Sequence, residues 1–203
     1  MINRVVNMAC AAPKMDKAAI RKKMIQKRNA LAPKEVVELS RAIEKQLFSC
    51  KEFLSCKNIL YYLSFGSEVH TDAMIGHSIA LHRKVYVPRI IKNVKRMEIC
   101  EIESLDGCFK LNSFGIREPS GSRVNTVPST EIDAVVAPGL AFDGSGGRIG
   151  LGGGYYDRLF EQLPDSALRL GIAYGFQLFD TLCQDGWDQK VHKIFTEKAT
   201  LNC

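Results

Sequence analysis

Residues 144–158 read Gly-Ser-Gly-Gly-Arg-Ile-Gly-Leu-Gly-Gly-Gly-Tyr-Tyr-Asp-Arg, and they hold seven of the chain's 16 glycines. A stretch so poor in side chains buries little apolar surface, so it reads as loop and not core. Glycine admits positive φ and lets a ligand approach the backbone closely. Successive backbone N–H groups in such a loop form a concave anion site. The loop carries Arg148, two aromatic rings (Tyr155 and Tyr156) and the carboxylate of Asp157. Residues 134–142 read as a buried strand before it, and 155–163 as a helix after it. Strand, glycine loop and helix together aim a helix N-terminus at phosphate. The Walker spacing Gly-x-x-x-x-Gly-Lys-Ser/Thr is absent. So is the full Gly-x-Gly-x-x-Gly of a dinucleotide site with its acid about 20 residues on. What remains is a phosphate loop of another kind. The competing reading, a flexible linker, does not explain Arg, Tyr-Tyr and Asp set in an apolar strand–helix frame.

Two further groups carry chemistry. Lys17 and Arg21 stand one helical turn apart and face the same way. They belong to a strongly basic segment with Lys14, Lys22, Lys23, Lys27 and Arg28 against one acid, Asp16. A solvated basic face suits most of these residues; for Lys17 and Arg21, contact with an anion stands equal to it. Glu68 falls between a strand's carboxyl end and the next helix start, the edge where open α/β sheets bind ligands. A plain surface acid in that loop is the alternative. With Asp157 and Asp188, these groups describe an anion-binding α/β enzyme.

The elements that must position them follow from periodicity. Asp16 can cap a helix over 17–29, with Ile20, Met24 and Leu31 on its packing side. Pro33 suits the first turn of a second helix, with Val36, Ser40, Ile43 and Leu47 as its inner stripe. Residues 59–64 form a buried strand, and Thr71 caps a helix over 72–81. Residues 84–88 form another buried strand, and 97–102 alternate like an edge or half-exposed one. Residues 103–133 read as polar loop with a turn around 114–119. Strands over 167–174 and 193–196 complete the chain. Strands alternating with helices predict an α/β fold: one three-layer domain with a mainly parallel twisted sheet and helices on both faces.

Composition bounds the rest. At 203 residues, 46% hydrophobic and 25% charged, the chain has globular values and the length of one domain. Net charge +6 favours anionic partners without choosing among nucleotide, polyglutamate and nucleic acid. Seven scattered cysteines, none in Cys-x-x-Cys, read as free thiols of a reducing cytosol. The four histidines show no ligand spacing, and no apolar run is long enough to span a membrane. Residues 1–13 read as a disordered leader ahead of a domain over 14–203, with an organellar address as the alternative to a cytoplasmic location.

At this point the residues resemble a known family. Ala-Pro-Gly-Leu-Ala-Phe-Asp at 137–143, followed by Gly-Arg-Ile-Gly-Leu-Gly-Gly-Gly-Tyr-Tyr-Asp-Arg at 147–158, resembles the signature of 5-formyltetrahydrofolate cyclo-ligases, also called 5,10-methenyltetrahydrofolate synthetases. The likeness extends to Lys-Ala-Ala-Ile-Arg at 17–21, Leu-Ser-Phe-Gly-Ser-Glu-Val-His-Thr at 63–71, Val-Pro-Arg at 87–89 and Trp-Asp-Gln-Lys-Val-His-Lys-Ile-Phe-Thr at 187–196. It implies ATP-driven cyclisation of 5-formyltetrahydrofolate to 5,10-methenyltetrahydrofolate, with Mg²⁺ and release of ADP and phosphate. It places Lys17 and Arg21 on the ATP phosphates, with Arg148, Gly150, Gly152, Gly153 and Gly154 cradling them from the other side. Tyr155, Tyr156 and Asp157 complete the ATP site, and Arg148 and Tyr155 are the implied catalytic pair. Leu63 and Glu68 meet the folate together with Gly152, Gly153, Gly154 and Tyr155. Asp157 and Asp188 hold Mg²⁺. The implied partners are ATP and a folate, polyglutamylated or not, acting on a monomer without nucleic acid or membrane.

The likeness departs at three positions. Leu151 stands where a basic or polar residue is common, which removes a phosphate contact. Trp187 precedes Asp188 where a histidine or other polar residue is common, and His192 replaces an acid. A second reading, a non-catalytic or RNA-associated relative using the basic first helix, has no RNP motif, helix-turn-helix or zinc finger behind it.

Overall fold

Short runs of β-branched and aromatic residues form the centre of the protein in its computed structural model, which describes residues 16–107, 109–113, 115–121 and 124–203. The leader at 1–13, Lys14, Cys10, Cys108 and the first residue of the turn at 114–119 lie outside the described residues. Helices α1 (Lys17–Asn29), α2 (Pro33–Leu47) and α3 (Lys51–Ser55) lead to strand β1 (Asn58–Tyr61). Then come α4 (Asp72–Ala80), β2 (Lys84–Ile91), β3 (Arg96–Ile102), β4 (Phe109–Leu111), β5 (Arg117–Pro119) and β6 (Thr126–Val127). The second half holds β7 (Ala134–Ala137), β8 (Ala141–Asp143), β9 (Arg148–Ile149), α5 (Tyr155–Phe160) and β10 (Leu168–Ile172). It closes with β11 (Leu178–Phe179), β12 (Lys193–Phe195) and β13 (Thr200–Asn202).

The main sheet has the order β13-β12-β10-β7-β1-β2-β3-β6. Its five central strands, β12 to β2, run parallel. Both margins are antiparallel, with β13 on β12 at one end and β3 then β6 at the other. Short connections explain β3 and β13, because a tight turn can only join antiparallel neighbours; β6 reaches β3 after the β4 and β5 strands. Residues 97–102 are therefore not an edge; they lie between β2 and β6.

Pleating divides the core. Ile59, Tyr61, Val85, Val87 and Val136 face α2, α3 and α4, which supply Ile43, Leu47, Phe53, Met74 and Ile75. Leu60, Tyr86, Val135 and Ala137 face the other way, onto Leu159, Phe160 and Leu163. Three layers with helices on both faces result. Helix α1 packs elsewhere: Ile20 and Met24 lie on Ala141 and Ile149 of a small sheet ordered β11-β8-β9, and on Leu140 and Leu182 beside it. The inner stripe of α2 is the expected one, Val36, Ser40, Ile43 and Leu47.

Several local expectations change. Residues 134–142 are not one strand. Pro138 has no N–H to continue the ladder, so the chain breaks after β7 and β8 joins the second sheet. The glycine stretch is not one open loop either. Its first part is a hairpin between β8 and β9, and Arg148 and Ile149 are buried. Only residues 150–154 form an open loop. The following helix stops at Phe160, six residues in. Asp16 and Thr71 occupy N-cap positions without a side-chain capping bond; Thr71 Oγ1 donates to Tyr62 O instead, at 2.7 Å. Residues 103–133 contain the β4–β5 hairpin, whose turn uses Gly115 at φ +75.

Asp143 organises the β8–β9 turn. Its buried carboxylate accepts bonds from Ser145 N, Ser145 Oγ, Gly147 N and Leu182 N. Burial alone would raise this carboxyl, but the bonds from Ser145, Leu182 and Gly147 outweigh it and hold it below its ordinary value. A carboxyl depressed in the folded state adds stability above its unfolded value, about pH 4, and loses that contribution as the pH falls through the folded value. Asp143→Ala leaves three backbone donors unpaired, with an expected loss of about 2–4 kcal/mol in urea denaturation at pH 7. The gap between variant and parent should narrow as the pH falls below the ordinary carboxyl value of about 4; a gap independent of pH would contradict the assigned ionised state.

Candidate active site

A cavity of about 330 Å³ lies at the carboxyl ends of the central strands. Tyr62 and Leu63 after β1, Pro88 and Ile90 of β2, and Pro138 and Gly139 after β7 form its floor. This is the edge at which parallel α/β sheets place ligands. Every residue singled out from the sequence as a site residue lines it: Lys17, Arg21, Leu63, Glu68, Arg148, Gly150, Gly152 to Gly154, Tyr155, Tyr156, Asp157 and Asp188.

One end is cationic and built on the loop. Arg21 Nε donates to Gly150 O at 2.9 Å, and Arg158 Nη2 donates to Gly153 O at 2.7 Å. Two guanidinium groups thus hold the loop by its carbonyls. Among the described residues no acceptor meets the N–H groups of Leu151 to Gly154. Gly152 and Gly154 have φ of +98 and +65, and a Cβ on Gly152 would sit 3.4 Å from the Arg21 guanidinium. The loop needs glycine here for its positive φ, since a Cβ at 152 would only reach ordinary contact with Arg21. Helix α5 is too short to act as an anion site by its dipole, so the bare loop amides, and not the helix N-terminus, are the donors on offer.

Arg148 lies behind the loop, with its side chain only 4% exposed. It donates from Nη2 to Asp157 Oδ1 at 2.9 Å and from Nη1 to Pro138 O at 3.4 Å. Its guanidinium stands 5.6 Å from the ring centres of both Tyr156 and Phe160. Arg148 Nε and the buried Tyr156 hydroxyl find no partner among the described residues. Burial pushes that hydroxyl well above its ordinary value, so it remains a neutral donor. Tyr155 packs its ring under Arg158, 5.3 Å away.

Lys17 reaches across the mouth to Asp188 and, at 2.6 Å, to Asp185. Asp188 Oδ2 also accepts from Asp185 N at 2.7 Å, and Asp157 Oδ1 from Gln189 N at 3.2 Å. Each of these carboxylates keeps one oxygen without a described hydrogen bond. Among the described residues no group of three ligating side chains forms a complete cation cage. Mg²⁺ does not require one, since it binds through one or two carboxylates plus phosphate oxygens and water. The oxygen-only donor set fits that ion.

The other end is apolar and buried. Leu63 is 2% exposed and Glu68 6%. Glu68 accepts from Arg28 Nη1 at 3.4 Å and from Phe65 N at 3.3 Å. Burial raises its pKa to about 7, against the pull of Arg28. Glu68 is thus no surface acid, and Arg28 is no part of a solvated face. Three cations of α1, Lys17, Arg21 and Arg28, line the cavity; Lys22, Lys23 and Lys27 are exposed. The sequence alone leaves Arg28 in the basic face; the one signal against that is its place after Ile20 and Met24 at the same four-residue spacing. Met97, Ile116 and Glu118 form a wall, of which the reading of 103–133 as loop did not anticipate the last two. Leu151 and Trp187 line the mouth and are largely exposed. His192 is not among the lining residues; its Nδ1 accepts from Arg169 N, so this departure does not touch the site.

Comparison with known proteins agrees with the geometry. The model of the 5-formyltetrahydrofolate cyclo-ligase family matches residues 13–197. The chain is 31% identical to a 5-formyltetrahydrofolate cyclo-ligase of Haemophilus influenzae over 77% of its length and 84% of that protein's. It is 27% identical to a probable 5-formyltetrahydrofolate cyclo-ligase of Caenorhabditis elegans, over 94% and 97%. Among solved structures, the 5,10-methenyltetrahydrofolate synthetase of Aquifex aeolicus superposes with a TM-score of 0.80 at 31% identity, over 93% of each chain. That of Mycoplasma pneumoniae gives 0.73 at 28%, over 90% and 99%.

The Arg148–Asp157 pair can be tested without any ligand. Arg148→Ala strands Asp157 and opens a hole behind the loop, with an expected loss of about 2–4 kcal/mol in urea denaturation. Adding Asp157→Ala should recover part of it. If the two losses simply add, the pair does not hold the loop.

Proposed function

The chain belongs to the 5-formyltetrahydrofolate cyclo-ligase family, and from that premise we propose that ATP drives its closure of 5-formyltetrahydrofolate to 5,10-methenyltetrahydrofolate, releasing ADP and phosphate. One observation carries the reading. A single cavity joins a cation-rich glycine loop to a buried carboxylate in an apolar end. A polyphosphate suits the first end, and a flat heterocycle with N–H donors suits the second.

The reaction explains why both ends are needed together. A formyl oxygen is a poor leaving group. Transfer of the ATP γ-phosphoryl to that oxygen converts it into phosphate. The lone pair of the folate N10 then forms a bond to the formyl carbon. N10 loses its proton, the carbon–oxygen bond breaks, and phosphate leaves with the electron pair. Phosphoryl transfer asks a protein for positioning and charge neutralisation more than for a nucleophile. Lys17 and Arg21 take the phosphates from α1, and the amides of residues 150–154 take them from the loop. Arg148 contributes charge from behind the loop and holds Asp157. Tyr155 and Tyr156 mark the boundary between nucleotide and folate, where rings stack on flat heterocycles. Leu63 packs on the folate, and Glu68 accepts its N–H groups. Asp157 and Asp188 would hold Mg²⁺, which supplies charge neutralisation at the phosphates when bound.

The exposed Lys22, Lys23 and Lys27 suit a polyglutamylated folate. A nucleic-acid role is not favoured, since α1 turns half of its described cations into the cavity. Among the described residues no helix is long and apolar enough to cross a membrane. We place the activity in the cytoplasm, on a monomer whose residues 14–203 act as one domain; a relative from Arabidopsis thaliana carries the name mitochondrial.

Purified protein with Mg²⁺, ATP and 5-formyltetrahydrofolate should develop the methenyl absorbance band and release phosphate in step with it. Neither should occur if ATP is left out, and a band that forms equally well without ATP would overturn the proposal. Arg21→Ala should raise the KM for ATP by roughly 10- to 100-fold, the worth of a charged hydrogen bond, with the folate KM changed far less. Trp187, the chain's sole tryptophan, lines the mouth and provides a fluorescence signal for each ligand separately.

A further inference from the structure

Arg28 has no part in the phosphate end of the cavity. It sits a full two helical turns beyond Arg21 on α1, 6% exposed, and its two contacts lead elsewhere. Nη1 meets Glu68 Oε1 at 3.4 Å and Nε meets Ser67 Oγ at 3.2 Å. Ser67 in turn donates from Oγ to Asn29 Oδ1 at 2.7 Å, and its carbonyl accepts from the Tyr174 hydroxyl at 3.3 Å. The end of α1 is thereby tied to the loop between β1 and α4. Other groups coupled to Glu68 are the tyrosine hydroxyls of Tyr62, Tyr156 and Tyr174, all pushed up by burial and neutral at working pH. Arg28 is the cation paired with Glu68 in this network.

We propose that Arg28 is a positioning residue that favours the carboxylate form of Glu68 and aims it into the cavity, as an acceptor for N–H groups of the substrate's heterocycle. The proposal rests on the folate assignment of this end of the cavity. A carboxylate accepts at both oxygens, whereas a neutral carboxyl gives up part of that capacity to its own O–H. Burial pushes Glu68 toward the neutral form, and Arg28 opposes it. Without Arg28 the acid would stay protonated at neutral pH and ionise only in alkali. The loss should therefore be one of affinity, repaired by raising the pH. A merely structural arginine would not produce that signature.

The test measures 5-formyltetrahydrofolate affinity, by Trp187 fluorescence without ATP, from pH 6 to 9. With Glu68 about half ionised in the parent at pH 7, Arg28→Gln should weaken it about fivefold there for a shift of about one pKa unit, and recover most of the loss at pH 9. Arg28→Lys, which keeps the charge, should lie between this variant and the parent, and ATP affinity should change in neither. Glu68→Gln should be weak at every pH, and adding Arg28→Gln to it should cost nothing more. Losses that multiply in the double variant, or an Arg28→Gln defect unchanged by pH, would overturn the proposal. Full affinity in Glu68→Gln would instead overturn the folate assignment and the proposal with it. Weak Glu68→Gln beside an unaffected Arg28→Gln would remove the positioning role alone. Should Arg28→Gln fold poorly, as judged by circular dichroism, the doubly neutral variant and the pH profile of Arg28→Lys decide the same question.

Discussion

Two guanidinium groups are buried on opposite sides of one cavity, and the site depends on how each is compensated. Arg148 is neutralised by Asp157 and backed by Pro138 O; Arg28 is neutralised by Glu68 and backed by Ser67 Oγ. An isolated buried charge is costly, so each arginine fixes its carboxylate as firmly as the carboxylate fixes it. Each pair joins two separate elements of the chain. The first ties β9 to α5 across the glycine loop. The second ties α1 to the loop after β1. The cavity is the space left between the two clamps.

The same constraint divides the cavity's chemistry. Where glycines remove side chains, arginines hold the loop by its carbonyls and the amides are left on offer. Where apolar side chains crowd in, a carboxyl is forced toward neutrality and needs a cation to stay ionised. Under the proposed reaction, a polyanion and a flat, donor-rich heterocycle have separate places within reach of each other. Their proximity is what that ring closure would require, since positioning supplies much of the rate.

Much of this was legible without coordinates. Apolar periodicity gave the stripe of α2 and the central strands, because burial on a sheet face or helix side leaves its mark at fixed spacing. The glycine run with Arg148, Tyr155, Tyr156 and Asp157 pointed to one end of the cavity, because few other uses exist for so many glycines beside charge. Less legible was anything set by partners distant in sequence. The break at Pro138, the short β9 and the Asp143 turn depend on pairing with β8 and β11. The hairpin over 109–119, and with it Ile116 and Glu118 on the cavity wall, is built from strands of three residues, too short for period-two alternation to register.

Local pattern and motif thus determined the fold class, the family and most of the residues that line the cavity. Tertiary structure decided which way they face. Arg28 reads like its basic neighbours Lys22, Lys23 and Lys27 until α1 is seated on Leu140 and Ile149, which turns one side of the helix inward. Glu68 reads like any loop acid until the chain folds over it. Charge type is written in the residue, but the desolvation that gives a charge its role is a property of everything packed around it.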